Sequence, residues 1–283
     1  MQLGTHEIAH VSDTALMTAA CRAMETERPD GLIRDPFAAR LAGERGISIA
    51  RNIARAELLC FGIGVRSHFI DDLVLDTVSV HGITTVLSIG AGLDTRPWRL
   101  ELPAALRWIE VDFPAMLDYK DGIMASVAPK CNRERFAADL ADPFARQSAF
   151  DAAGEGPTLM ITEGLLMYLP AAAIEALAAN TAASYWLLDA ASPDMARRVR
   201  MDTCQSIEDV RAADHLDGLQ ILEVVRRHGW VGLRLLGYGS REDLKFAEER
   251  ILAMFRKLPA GQMPEPLPAD DPSGIHLFGR QSG

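Results

Sequence analysis

The sequence predicts a doubly wound α/β fold with a mostly parallel sheet of seven strands, preceded by a helical extension. Three observations predict it. From residue 84 onward, short apolar runs alternate with helical segments, the pattern of strand–crossover–strand units with helices on both faces. The first run, TTVLSIGAG (84–92), is apolar and β-branched, as a strand buried on both faces must be. Before it the period is helical instead, with Val65, Phe69, Leu73, Val74 and Val78 near one face.

The elements follow in order. Ser12-Asp13 reads as an N-cap, and the stretch through Met24 is rich in helix formers. Pro29, Gly31 and Pro36 break that pattern, and a long helix spans about Gly62 to Val80. The second strand is LRWIEVDFP (106–114), stopped by Pro114, with helix to about Val127. RFAAD (135–139) and PTLMITEG (157–164) are the third and fourth strands. AAAIEALAANTAAS (171–184) is a helix and YWLLDAAS (185–192) the fifth strand. A helix over Gly218–His228, capped by Gly229, leads to final strands at 230–239 and 274–281. Residues 193–217 lack a clean period and are expected to be a helical lid or insertion. The Pro-rich stretch 258–274 reads as loop. The division is therefore 1–82, a helical N-terminal extension, and 83–283, a core carrying the insertion.

Composition narrows the function. The 283 residues are 48% hydrophobic and 24% charged, those of an ordinary globular chain. With 29 basic and 39 acidic residues the net charge is −10, which argues against a general grip on nucleic acid. Cys21, Cys60, Cys131 and Cys204 are scattered, so no CxxC redox pair or metal site is expected. The first residues, MQLGTHEIAHVSD, have neither a basic start nor an apolar stretch, so no signal peptide is expected. No run reaches the ~18 apolar residues of a membrane span. The expected compartment is the cytosol. A homodimer is compatible with all of this.

Chemistry concentrates at the strand ends. Gly90 and Gly92 let a ligand approach the backbone and match the start of a dinucleotide fingerprint, but Thr95 stands where its third glycine belongs. Asp112 ends the second strand, 22 residues after Gly90, where this topology presents a carboxylate to a ribose. Glu110 shares its face but lies further from the tip. Asp139 ends the third strand, where its carboxylate could accept from an adenine amine with Leu140 flanking the ring, and Glu163 ends the fourth. Acids ending three consecutive strands converge on one crevice.

At these residues the chain resembles the leucine carboxyl methyltransferase family, in particular its bacterial branch of polyketide O-methyltransferases like that of tetracenomycin biosynthesis. GVRSHFIDDLV, LSIGAGLDTRPWRL, WIEVDFP, AADLAD and EGLLMYLP occur in the family's order, and the similarity runs from about Ala15 to Pro170. The resemblance implies a Rossmann-like sheet of the class I methyltransferase type and S-adenosylmethionine as methyl donor. It also implies roles. Arg66, with Arg22 as a second basic residue, would meet the donor's carboxylate. Gly90 would lie against the methionine moiety, with Gly92 beside it. Asp112 would hold the ribose, and Asp139 with Leu140 the adenine. Glu163 or Asp94 would accept from the ammonium. The implied acceptor is a carboxyl or hydroxyl group of a small molecule, and no general base is identified beyond the candidates Tyr168 and His215. Two other readings share parts of this pattern. An NAD-type oxidoreductase has the same strand–glycine–acid arrangement, but Thr95 and the acids of strands three and four argue against it. A catalytically silent S-adenosylmethionine-binding regulator would need the same donor residues.

Overall fold

Seven strands among the described residues form one sheet: β1 (Thr85–Ile89), β2 (Arg107–Asp112), β3 (Asn132–Ala137), β4 (Thr158–Thr162), β5 (Tyr185–Ala190), β6 (Trp230–Gly237) and β7 (Gly274–Arg280). Their order is β3-β2-β1-β4-β5-β7-β6. Neighbours among β1–β5 pair in parallel, and β7 runs antiparallel to both β5 and β6. The structure is a computed structural model that describes residues 11–53, 55–202, 212–257, 267–268 and 270–280. All seven predicted strands are present, and the sheet is mostly parallel as expected.

Burial explains the strand sequences. Every residue of β1 and β4 is buried, since both faces are covered. Alternation along β1 sends Leu87 and Ile89 into a core with α6 (Pro143–Asp151), α7 (Ala171–Ala179) and α9 (Gly218–Arg227), while Val86 packs with α3 (Ala56–Val80). A third core joins α1 (Val11–Glu27), α2 (Ala38–Arg51), the start of α3 and α5 (Pro114–Met124). α1 and α2 thereby pack on the α3 side of the sheet. α4 (Arg96–Arg99), α8 (Pro193–Asp202) and α10 (Glu248–Arg256) complete the helices considered below. No helix among the described residues is long and apolar enough to cross a membrane.

Local chemistry sets several boundaries. α9 begins in a capping box, Asp217 accepting from the Gln220 N–H at 2.9 Å while Gln220 accepts from the Asp217 N–H at 2.9 Å. Gly229 follows it with φ 79°. The helix expected over 171–184 stops at Ala179, because the Asn180 side chain accepts from the Ala182 N–H (2.8 Å) and turns the chain out. Ser12 and Asp13 are not the cap of α1 but part of its first turn. The Asp13 carboxylate instead takes two hydrogen bonds from Arg45 of α2, at 2.6 and 2.7 Å. The third strand lies at 132–137 rather than 135–139, because the ladder to β2 begins with Arg107 opposite Asn132. Within the expected insertion 193–217, α8 is helical, and residues 203–211, with Cys204, lie outside the described residues. Most of the Pro-rich stretch 258–274 also lies outside them.

Candidate active site

The strand order reverses between β1 and β4, and the crevice beyond their carboxyl ends is where such sheets bind ligands. Here it opens into a cavity of about 1850 Å³. Its floor includes Gly90 and Gly92 after β1, Asp112 at the end of β2, and Asp139 and Leu140 after β3. Arg22 of α1, Arg66 of α3, Asp94, Glu163 after β4, and Tyr168 line it as well. The fold thus gathers ten of the eleven predicted residues around one space. The exception is His215. It is exposed, with Nδ1 2.8 Å from the Ala212 carbonyl oxygen, and borders a separate pocket of about 380 Å³.

The glycines are required by conformation and by space. Gly90 has φ 68° and Gly92 φ 46°, where side chains are disfavoured. A Cβ on Gly90 would also come within 2.8 Å of Leu165 Cδ1. The loop is held against β2, with the Gly90 N–H donating to the Val111 carbonyl at 2.8 Å and the Gly92 N–H to Asp112 Oδ2 at 2.6 Å. Asp112 Oδ1 accepts from the Phe113 N–H at 2.7 Å. Burial pushes this carboxyl up from its ordinary range, against the pull of those N–H groups and Lys120. Glu110, two residues earlier, does not reach the cavity. Its fully buried carboxylate binds Lys120 Nζ of α5 and Arg133 Nε of β3, each at 2.9 Å.

Asp139 is exposed and accepts from the Ala141 N–H at 2.9 Å, while Leu140 is buried. The other wall is an ion network. Glu163 Oε2 accepts from Arg96 Nη1 at 2.7 Å, and its Oε1 lies 3.0 Å from Arg66 Nε. Burial alone would raise the Glu163 carboxyl, but Arg96 and Arg66 draw it down to about 2. Burial opposes the charge of Arg66, but Glu163 and Asp189 raise its guanidinium above the usual range. Arg96, almost wholly buried, also binds Asp94 (3.1 Å) and Asp71 (2.7 Å). Arg22 Nε donates to Asp35 at 2.9 Å and Nη2 to the Leu93 carbonyl at 2.6 Å.

Sequence reasoning missed several members of this wall. Thr95, read only as a departure from the glycine fingerprint, is fully buried. Its hydroxyl donates to Asp35 Oδ2 (2.7 Å) and accepts from Arg99 Nε (3.1 Å). A glycine there would remove the hydroxyl that links Asp35 to Arg99. Arg96 stood unassigned inside the motif GLDTRPWRL. Asp189, at the carboxyl end of β5, lines the cavity too. The rule that found Asp112, Asp139 and Glu163, applied to the next strand, would have found it. Gly164 lets the network close: its N–H donates to Asp189 Oδ1 at 2.8 Å, and a Cβ would come within 3.0 Å of Arg66 Nη1. The outer walls come from α1, the start of α3, α8 and α10, the last not anticipated.

The family model for leucine carboxyl methyltransferase matches residues 15–182. A protein of Mycobacteroides abscessus is 40% identical over 183 residues, covering 60% of this chain and 58% of that protein. One of Streptomyces coelicolor is 38% identical over 182 residues, covering 59% and 62%. The name of each begins "Putative S-adenosyl-L-methionine-dependent methyltransferase". The match thus spans about three fifths of the curated relatives. A DUF574 family protein from Streptomyces avermitilis shares the fold, with TM-score 0.57 at 14% identity, covering 93% of this chain and 97% of that one.

Proposed function

The chain belongs to the leucine carboxyl methyltransferase family, and on that premise we propose that it transfers a methyl group from S-adenosylmethionine to an oxygen of a small molecule. The observation that carries this is the convergence of Gly90, Asp112, Asp139 and Arg66 on one cavity at the switch point of the sheet. A donor with a ribose, an adenine and a zwitterionic amino-acid end calls for those partners in that order along β1–β3 and α3. The cavity also exceeds the ~300–1,000 Å³ typical of a pocket for one ligand, leaving space for an acceptor.

One feature of the wall tests the fit. Arg66 Nε is buried, and no hydrogen bond is aimed from it despite the nearby Glu163 oxygen. A buried guanidinium N–H without an aligned acceptor suits an incoming carboxylate. Arg66, backed by Arg22, would hold the carboxylate of the donor, and Glu163 or Asp94 its ammonium. Arg96 and Arg66 favour the ionised form of Glu163, which that role requires. Asp112 would hold the ribose hydroxyls, exchanging its bond to the Gly92 N–H in part for them. Asp139 and Leu140 would border the adenine.

When bound, the donor supplies an electrophilic methyl group on a sulfonium. The protein's contribution is to align the acceptor oxygen with it and to keep water away. The N-terminal helices with α8 and α10 cover the part of the cavity beyond the donor residues, and we assign acceptor selection to them. Their apolar side chains suit a polyketide or similar aromatic body.

The test is Asp112→Ala. It should weaken S-adenosylhomocysteine binding by about 1.5–3 kcal/mol, the scale of a lost hydrogen bond to a charged group, read by calorimetry on protein that circular dichroism shows to be folded. Unchanged affinity would remove Asp112 from the ribose site.

A further inference from the structure

Beyond the donor residues, the cavity holds a carboxylate and a phenol to which the methyl-transfer reading gives no part. Asp189 Oδ1 is satisfied by the Gly164 N–H at 2.8 Å. Its Oδ2 has only a long contact, 3.5 Å, from Arg66 Nη1. The side chain is 14% exposed, and it lines the cavity. Tyr238, just past β6, lines the same cavity. Its backbone N–H donates to the Ser273 carbonyl (2.8 Å), and its ring lies parallel to Phe69 at 8° with centroids 6.3 Å apart. These contacts fix the ring, and no protein group bonds its hydroxyl among the described residues.

We propose that Asp189 and Tyr238 bind a hydroxyl group of the acceptor, which makes the substrate an apolar alcohol or phenol rather than a carboxylic acid. An ionised carboxylate accepts only, a phenol hydroxyl donates, and an alcohol or phenol does both. A substrate hydroxyl can therefore donate to Asp189 Oδ2 while accepting from Tyr238. A substrate carboxylate could not donate to Asp189 and would meet it as a like charge. Arg66 offers no relief, because its one unaligned N–H is taken by the donor's carboxylate and its other contacts go to Glu163 and Asp189.

Two further observations agree. Burial raises the Asp189 carboxyl above its ordinary range, against Arg66 and the Gly164 N–H, with Glu163 adding to the rise. Burial, with the Asp189 charge, also raises the Tyr238 phenol and keeps it a donor. Asp189 is thus a better proton acceptor than its depressed neighbour Glu163. As the acceptor oxygen bonds to the methyl carbon, its proton passes to Asp189 Oδ2. The electron pair of the broken carbon–sulfur bond stays on sulfur, and Asp189 then releases the proton to solvent. The body of the acceptor is placed by the apolar wall of Leu59, Phe61, Met167, Ile251 and Phe255.

This inference rests on the methyl-transfer reading, and its test separates the two. Calorimetry would compare 2-naphthol with 2-naphthoate at pH 7, on the protein alone and saturated with S-adenosylhomocysteine. The two probes share an aromatic body and differ in the hydroxyl and carboxylate. The wild-type protein should bind naphthol at least tenfold more tightly than naphthoate. Asp189→Asn should cut naphthol affinity about tenfold and improve naphthoate binding. Tyr238→Phe should cut naphthol affinity about threefold. Equal or tighter binding of naphthoate, no binding of naphthol, or naphthol affinity untouched by both variants would overturn the proposal. The comparison of probes on the wild type decides the matter even if Asp189→Asn does not fold. Failure of S-adenosylhomocysteine to bind would sink the donor reading instead.

Discussion

Glu110→Ala is expected to lower the free energy of unfolding by about 3–5 kcal/mol, the cost of breaking a buried ion pair from one side. Neither the Glu110 nor the Lys120 side chain is exposed to any extent. The substitution would leave the Lys120 ammonium, 2.9 Å from the lost carboxylate, with only the Asp94 carbonyl at 3.2 Å, and would leave Arg133 with Asp121 as its one acidic partner. Because Glu110 lies beneath α5 and outside the cavity, the effect is one of stability. Denaturant unfolding should show it, while the folded fraction keeps its donor affinity. Two acids two residues apart on one strand thus have separate tasks. A Glu110→Ala protein of normal stability but weakened S-adenosylhomocysteine binding would reverse that assignment.

The second large effect is acid destabilisation through Glu163. Its carboxyl falls from the ordinary 4.5 to about 2 in the folded protein. A depressed folded value means the contribution is complete above the unfolded pKa and is lost as pH falls through the folded one. The window is therefore about pH 4.5 down to about 2, and the shift corresponds to about 3 kcal/mol. Asp112 and Asp189, raised by burial, act with the opposite sign, since protonating them favours the folded state. Glu163→Gln should be less stable than the wild type at pH 7 and should lose much less between pH 4.5 and 3. Denaturation midpoints at those pH values measure both. A variant with the same acid slope as the wild type would show that Glu163 is not the group responsible.

What the sequence made legible was whatever strands impose locally. Buried runs such as TTVLSIGAG announced the sheet, and the residues at their carboxyl tips announced the crevice, because a strand end fixes which side chains face it. Asp112, Asp139 and Glu163 are all placed by that rule, and Asp189 was missed only because the rule was not carried to β5. The ion network was not legible. Arg96 meets Asp71 of α3, Asp94 of its own turn and Glu163 after β4, three partners that only the packing of α3 onto the sheet brings together. The bonding role of Thr95 was hidden for the same reason: its partner Asp35 lies 60 residues away. α10 was missed because part of its apolar face lines the cavity rather than filling a core, with Leu252 left exposed. His215 ends no strand, so the strand-end rule did not place it. The turn before α9 carries it away from the cavity instead.

The central claim, that this cavity receives a sulfonium methyl donor and not a dinucleotide, is tested most directly by equilibrium binding of both ligands. Isothermal calorimetry would titrate the same protein preparation with S-adenosylhomocysteine and with NAD. Thr95, committed to Asp35 and Arg99 where a dinucleotide fold needs glycine, predicts saturable binding of S-adenosylhomocysteine and little or none of NAD. Tighter binding of NAD would contradict the account.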